Sequence, residues 1–321
     1  MKDAALRAIS TLEEPREDFA RDLLDGLQRK TKQIGCKYFY DARGSELFER
    51  ICRLPEYYQT RTETALLREH ADEIAQIIGP QVELIEFGAG SLAKVRILLD
   101  ALEDPRIYVP IDISGDYLLD VVVGLEEDYP EMTLKPVIAD FTQALNLGAK
   151  AAGVLRRVGF FPGSTIGNFT RDAAVAFLRN AARVLGGGGL LIGTDLVKDP
   201  AILHAAYNDC AGVTASFNKN LLLRANRELG ANFDLNQFAH YACYNPVAMK
   251  IEMYLVSLAR QTVRVAGETI RFAQGEAIHT EDSHKYTIEG FTELAMEAGF
   301  ALRKSWTDEE RLFAIHWLET R

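Results

Sequence analysis

Apolar positions along the chain give a helical start, an alternating middle and a late segment of a third kind. Over residues 1–79 the spacing is helical: Phe19, Leu23, Leu24 and Leu27 share one face, and Leu47, Phe48, Ile51 and Leu54 another. Ser45 can cap the second helix, and Thr62 a third that Gly79 and Pro80 end. No strand pattern is read in this stretch. At Val82 the pattern changes. VELIEF (82–87) is a short apolar run ending in glycines, and LAKVRILLDAL (92–102) is helical. RIYVPIDI (106–113), a helix carrying Tyr117, Leu118, Val121 and Val122, TLKPVIAD (133–140), VGFFPGS (158–164), a helix at 170–185 and GLLIGTDL (189–196) continue the alternation. Buried, β-branched strands alternating with helices predict an α/β fold with a parallel sheet covered on both faces.

From about Val197 to Glu281 the alternation stops. Helical stretches at 200–210 and 214–229 precede MKIEMYLVSLA (249–259) and QTVRVAGETIRF (261–272), which alternate like antiparallel strands. A helix at 287–299, then ALRKSW and FAIHWLET, close the chain, with 300–320 expected as an antiparallel pair added to the first sheet. The pattern therefore predicts a sheet domain at 80–196 completed by 287–321, and a second domain that joins the helices of 1–79 to an insertion at 197–286.

Composition narrows the function. The 321 residues carry 36 Lys and Arg against 46 Asp and Glu, a net charge of −10, which disfavours a phosphate-tracking nucleic-acid binder. No segment approaches 18 uninterrupted apolar residues and the N-terminus has no apolar core of a signal peptide, so a cytoplasmic enzyme with no membrane span is expected. Cys36, Cys52, Cys210 and Cys243 form no C-x-x-C pair, and His279 and His284 are not spaced for one helical face, so no metal site is expected.

The chemistry-bearing residues recur at successive strand ends. IEFGAGS (85–91) runs from a strand through Gly-x-Gly into a helix, which brings backbone N–H groups and a helix N-terminus close to a ligand. Ala93 breaks the G-x-G-x-x-G pattern of dinucleotide enzymes, which keeps an NAD-dependent oxidoreductase as the lesser alternative. Asp112 ends the second strand, where a carboxylate can accept both ribose hydroxyls of an adenosine. Asp140 and Phe141 follow the third, where an acid and a ring suit an adenine edge and face. Gly-x-Gly, Asp and Asp-Phe in this order match the layout of an S-adenosylmethionine (SAM) site in Rossmann-like methyltransferases.

Longer strings carry a resemblance. KYFYDARGSELFERICRLPEYYQTRTE (37–63), FFPGSTIGNFT (160–170), AYNDCAGVTASFNKNLL (206–222), KIEMYL (250–255) and TEDSHK (280–285) resemble the histidine-specific Nα-methyltransferases of ergothioneine biosynthesis, over almost the whole chain. The resemblance implies a Rossmann-like class I methyltransferase domain with a second, substrate-binding domain. It implies that Gly88, Lys94, Asp112, Asp140 and Phe141 contact SAM, with Lys94 meeting the methionine carboxylate. It places Asn168, Tyr57, Tyr207 and Thr214 around the amino and carboxylate groups of L-histidine, and Tyr40, Met253, Glu281 and Ser283 around its imidazole. Asn168 and Tyr57 are the expected catalytic residues, positioning the amine through three transfers that yield trimethylhistidine (hercynine) and S-adenosylhomocysteine. A monomer is expected. Another amino acid or small amine remains the alternative substrate, and a SAM-binding regulator without catalysis a further one. Taken alone, Tyr57 reads as a core or interface aromatic, Met253 as core, and Glu281 with Lys285 as a solvated ion pair.

Overall fold

The computed structural model describes residues 10–11, 16–90, 92–113 and 115–321. Ser91, which ends the quoted string IEFGAGS, Ser114 and the start of the N-terminal segment lie outside them. The chain divides into two compact units. One comprises residues 1–13, 59–197 and 286–321, the other residues 14–58 and 198–285.

The first unit is built on one mixed sheet. Its strands run in the order Ser10–Thr11, Val137–Ile138, Ile107–Asp112, Val82–Phe87, Arg156–Phe161, Gly189–Asp195, Phe313–Thr320 and Phe300–Thr307, and Thr133–Leu134 pairs with Ile107–Asp112. The pairs through Gly189–Asp195 are parallel, and the last two strands join antiparallel, as the sequence predicts for 300–320. Expected TLKPVIAD is broken in two because Pro136 has no N–H to give the ladder. The short strand Ser10–Thr11 pairs with Val137–Ile138, and Lys32–Gln33 forms another in the second unit, so the first 79 residues are not free of strands.

Strand alternation puts a core on each face. Val82 and Leu84 pack with Leu66, Leu67 and Ile74 of helix Tyr58–Ile78 and with Val95 and Leu98 of helix Leu92–Ala101. Ile85 and Phe87 pack with Phe177 and Leu178 of helix Arg171–Leu185 and with Phe291 and Leu294 of helix Ile288–Glu297. The expected grouping of residues 1–79 with the second domain is therefore corrected: the apolar face of Tyr58–Ile78 is buried on the sheet, and the division falls between Tyr58 and Gln59. This helix also begins before Thr62, which lies inside it. Gln59 in its first turn donates to Asp195 at 3.0 Å.

Gly193, on the strand Gly189–Asp195, shows how tightly that helix is seated. A Cβ there would lie 2.2 Å from Glu63 Oε1 and 2.9 Å from the Phe313 ring. Glu63 is buried and cannot swing out, so Gly193→Ala is expected to destabilise the fold by about 1–3 kcal/mol, read from urea unfolding. A shift within ±0.5 kcal/mol would contradict that seating.

The second unit joins helix Arg16–Gln28 and helix Ala42–Ile51 to a four-stranded sheet and two further helices, Pro200–Tyr207 and Val213–Leu229. The strand order is Lys32–Gln33, Ala277–His284, Lys250–Ser257, Phe238–Asn245. Only Lys250–Ser257 among the long strands here was expected. FAHYACYN and AIHTEDSH carry half-exposed polar residues at many positions, which hides their alternation. QTVRVAGETIRF is a separate hairpin, Gln261–Val265 with Glu268–Phe272, turning on Ala266 and Gly267 at φ of 47° and 87°. The cap of helix Ala42–Ile51 is Asp41 rather than Ser45. Its Oδ1 accepts from Gly44 N–H and Asn220 Nδ2, both at 2.7 Å, and Arg227 donates to its other oxygen.

Candidate functional site

The first unit gathers one set of candidates along the carboxyl ends of adjacent parallel strands. Gly88 follows Phe87, Asp112 ends Ile107–Asp112, and Asp140 lies two residues past Val137–Ile138. Gly88 turns the chain at φ 74°, and its N–H and that of Ala89 both donate to Ile111 O, at 2.9 and 3.0 Å. A Cβ on Gly88 would come 3.2 Å from the Phe141 ring, so the glycine turn and the aromatic lie against each other. Asp140 accepts from Thr142 N–H at 2.9 Å, which fixes the turn that presents Phe141. Phe141 also packs edge-on against Phe161, 5.6 Å between centroids.

Two buried acids sit behind this edge. Glu86 is enclosed, accepts a hydrogen bond from the Tyr108 hydroxyl, and leaves Oε1 with no hydrogen-bond partner. Burial pushes its carboxyl up to about 8, against the pull of Tyr108 and the Lys94 ammonium. Glu63 pairs with Lys94 at 2.5 Å, and both its oxygens lie 2.9 Å from the Gly163 N–H. Lys94, the expected carboxylate contact, is thus already held by one carboxylate of the protein.

Asn168 ends the short 3₁₀ turn Thr165–Asn168 that follows strand Arg156–Phe161, the next strand along the same edge. The loop leading to it is fastened at several points. Ser164 sits at φ 54° and its Oγ accepts the Asp195 N–H at 2.8 Å, while Tyr286 donates to Ile166 O at 3.2 Å. A non-glycine residue held at positive φ needs such over-determination.

The second unit brings the other candidates together. Strands Lys250–Ser257 and Ala277–His284 pair with Met253 opposite Glu281 and Ile251 opposite Ser283. Tyr207, at the end of helix Pro200–Tyr207, donates to Ser283 Oγ at 2.7 Å. The Tyr207 ring lies 6.4 Å from that of Tyr57, edge to face, and Tyr57 in turn lies 6.3 Å from Phe48. Tyr40 packs edge-on to Phe48 and to Phe217 at 5.6 and 5.8 Å. Thr214, in the first turn of the helix that carries Phe217, is buried, and its N–H donates to Asp209 at 2.8 Å. Burial works against the Asp209 carboxylate, but bonds from Val213 and Thr214 outweigh it and hold it below its ordinary range.

Electrostatics single out Glu281 in this cluster. The residue keeps some solvent access, but its carboxyl group is packed in protein. Burial raises it to about 7, the Lys285 ammonium draws it down, and Asp282 pushes it up. Tyr40 and Tyr57 are raised, foremost by burial and also by nearby negative charge. The unit therefore offers one carboxyl group raised to about neutrality and electrostatically close to Tyr40 and Tyr57.

Comparison with known proteins decides what this arrangement belongs to. A family model described as "Histidine-specific methyltransferase, SAM-dependent" matches residues 19–320. The chain belongs to this family. It is 42% identical over 305 residues to a histidine N-alpha-methyltransferase of Mycolicibacterium smegmatis, covering 93% of this chain and 94% of that one. It is 40% identical to a histidine N-alpha-methyltransferase of Mycobacterium tuberculosis, covering 92% of each. The ergothioneine biosynthesis protein 1 of Neurospora crassa is 32% identical over 86% of this chain and 32% of its own length.

A SAM-dependent methyltransferase of this family needs an adenosyl site, and the sheet edge fits one. The Gly88 turn leaves room where a Cβ would meet Phe141, and the buried Glu86 Oε1 has no hydrogen-bond partner of its own. All five residues expected around SAM fall in the first unit and the seven other than Asn168 expected around histidine fall in the second. Among the described residues no His, Cys, Asp and Glu cluster is arranged to hold a metal, and no helix is long and apolar enough to cross a membrane. Sequence reasoning missed Glu63, an acid in mid-helix with no local signal. It also read Lys285 as a solvated partner, whereas the side chain is buried and donates to Ser283 at 2.8 Å and Tyr207 at 3.1 Å. The two-residue spacing from Ser283 was the available hint.

Proposed function

We propose that this methyltransferase acts on the α-amino group of L-histidine three times in succession, giving trimethylhistidine and S-adenosylhomocysteine. The observation that carries the reading is the pairing of Glu281 with a hydrogen-bonded Ser283 on one strand, beside Met253 and the tyrosines. A carboxylate and a hydroxyl two residues apart suit the two nitrogens of an imidazole, and a thioether suits its face.

When bound, SAM supplies an electrophilic sulfonium methyl, so the chain itself has little acid–base work to do. Asp112 would hold the ribose hydroxyls, Asp140 and Phe141 the adenine, and Gly88 would let the backbone approach. Lys94 would meet the methionine carboxylate with Glu63 fixing its direction. Asn168 orients the amine nitrogen, which must shed its proton to water before each transfer because an α-ammonium is not a nucleophile. Tyr57 guides the amine as methyls accumulate, Thr214 holds the amino end, and the Tyr207 ring lines the pocket while its hydroxyl hydrogen goes to Ser283. The positive charge that develops on the nitrogen in each transfer, and is permanent after the third, is offset by the ring of Tyr57. Four free thiols agree with a reducing, cytoplasmic compartment, and a monomer is the expected state.

The test separates donor from acceptor. Asp112→Ala should weaken binding of SAM or S-adenosylhomocysteine by about 2 kcal/mol in calorimetry, since hydrogen bonds to a charged group are worth about 1.5–3 kcal/mol. The KM for histidine should stay within about twofold. Unchanged cofactor affinity would sink the assignment of the sheet edge.

A further inference from the structure

We infer that Lys285 restricts the histidine pocket to a neutral imidazole, by fixing Ser283 as a hydrogen-bond donor toward the ligand. The inference rests on the placement of the ring between Glu281 and Ser283 proposed above.

The argument is a count of hydrogens. A lysine ammonium has three donors and no lone pair, so its bonds to Ser283 Oγ and Tyr207 Oη run outward from Lys285. The Tyr207 hydroxyl accepts from Lys285 and passes its own hydrogen to Ser283 at 2.7 Å. Ser283 Oγ then receives two hydrogens, one for each lone pair, and what it keeps for a ligand is its O–H. The Lys285 Nζ also lies 4.9 Å from the centre of the Tyr207 ring, which holds the three groups in one buried cluster.

A ring between this donor and an ionised Glu281 must present one bare nitrogen and one N–H. Neutral imidazole does so. Imidazolium presents two N–H groups, one of which would face the Ser283 hydrogen near the Lys285 ammonium. The other groups around Glu281 do not change this polarity at physiological pH. Cys36 is pushed up to about 12, foremost by burial, and Tyr40 and Tyr57 are raised above their ordinary value. Asp282, next on the strand, is held at about 2 because His279 and Lys250 outweigh its burial. Across the cluster, His240 lies 2.9 Å from Tyr207 O and burial lowers its pKa, so it stays neutral there. Lys285 is thus a positioning residue: it acts through the hydroxyl it saturates.

The experiment reads the ring directly. Histidine labelled with ¹⁵N in the imidazole is bound at saturation to the full-length protein at about pH 7.5, where Glu281 is mostly ionised and the free ring is roughly 90% neutral given its pKa near 6.5. The bound ring is expected to show one protonated and one bare nitrogen. With Lys285→Met, Ser283 regains a lone pair and the bound ring at the same pH should show two protonated nitrogens. A cationic ring on the wild-type protein overturns the inference without any variant, and so does a Lys285→Met spectrum identical to wild type. Glu281→Gln separates the underlying placement. If it weakens histidine binding tenfold or more while the wild-type ring is cationic, the placement stands and the role of Lys285 falls. If it leaves binding unchanged, the placement itself is wrong.

Discussion

Glu281→Ala is expected to raise the KM for histidine by about 30- to 100-fold, with kcat changed only a few-fold. The carboxylate is the only acidic group proposed for the imidazole, and a hydrogen bond to a charged, desolvated partner is worth about 2–3 kcal/mol, with about 1.4 kcal/mol per tenfold. The interaction is made equally in ground and transition states, because the ring is remote from the reacting amine, so the loss falls on KM. The pH dependence follows from the same group. Burial raises the Glu281 carboxyl to about 7, so its acceptor role is complete above that value and is lost as pH falls through it. Wild-type KM should therefore climb on the acid side, and the alanine variant should lack that part of the rise. Steady-state kinetics across neutral pH checks both. An unchanged KM in the variant would remove Glu281 from the pocket.

Asn168→Ala is expected to lower kcat/KM by about 100-fold while SAM affinity holds. Methyl transfer is a displacement that depends on alignment, and a small misplacement of the amine costs on that order. The structure gives Asn168 a rigid base. Gly163 is bonded to Glu63, Ser164 to Asp195 and Ile166 to Tyr286, so the loop itself should survive loss of one amide. Single-turnover kinetics with pre-bound SAM isolates the chemical step. Near-full kcat/KM in the variant would rule out an orienting role.

The sheet was legible in the sequence because its strands are buried on both faces. VELIEF, RIYVPIDI and GLLIGTDL are continuous apolar runs, and glycines or acids end them where the chain turns at the binding edge. What was misread has physical causes. Helix Tyr58–Ile78 was assigned by its position in the chain, but its destination is set by Leu66, Leu67 and Ile74 meeting Val82 and Leu84, a match between faces that no local pattern announces. Asp41 won the cap of its helix from Ser45 because Asn220 and Arg227, far away in sequence, anchor it. The site was legible to different depths. Gly88, Asp112 and Phe141 carry a signal of their own at successive strand ends. Tyr40, Met253 and Ser283 have none without the family strings, since each is an ordinary core or strand residue taken alone. Glu63 and Lys285 became visible only through their partners, because a buried charge declares itself by what it is bonded to.

The most direct test of the whole account is the product. Purified protein is incubated with SAM and a panel of free amino acids, and the products are read by fragment mass spectrometry. The account predicts that histidine alone is consumed efficiently, that up to three methyl groups accumulate, and that all of them reside on the α-nitrogen. Methylation of a ring nitrogen, or equal turnover of amino acids without an imidazole, would contradict it.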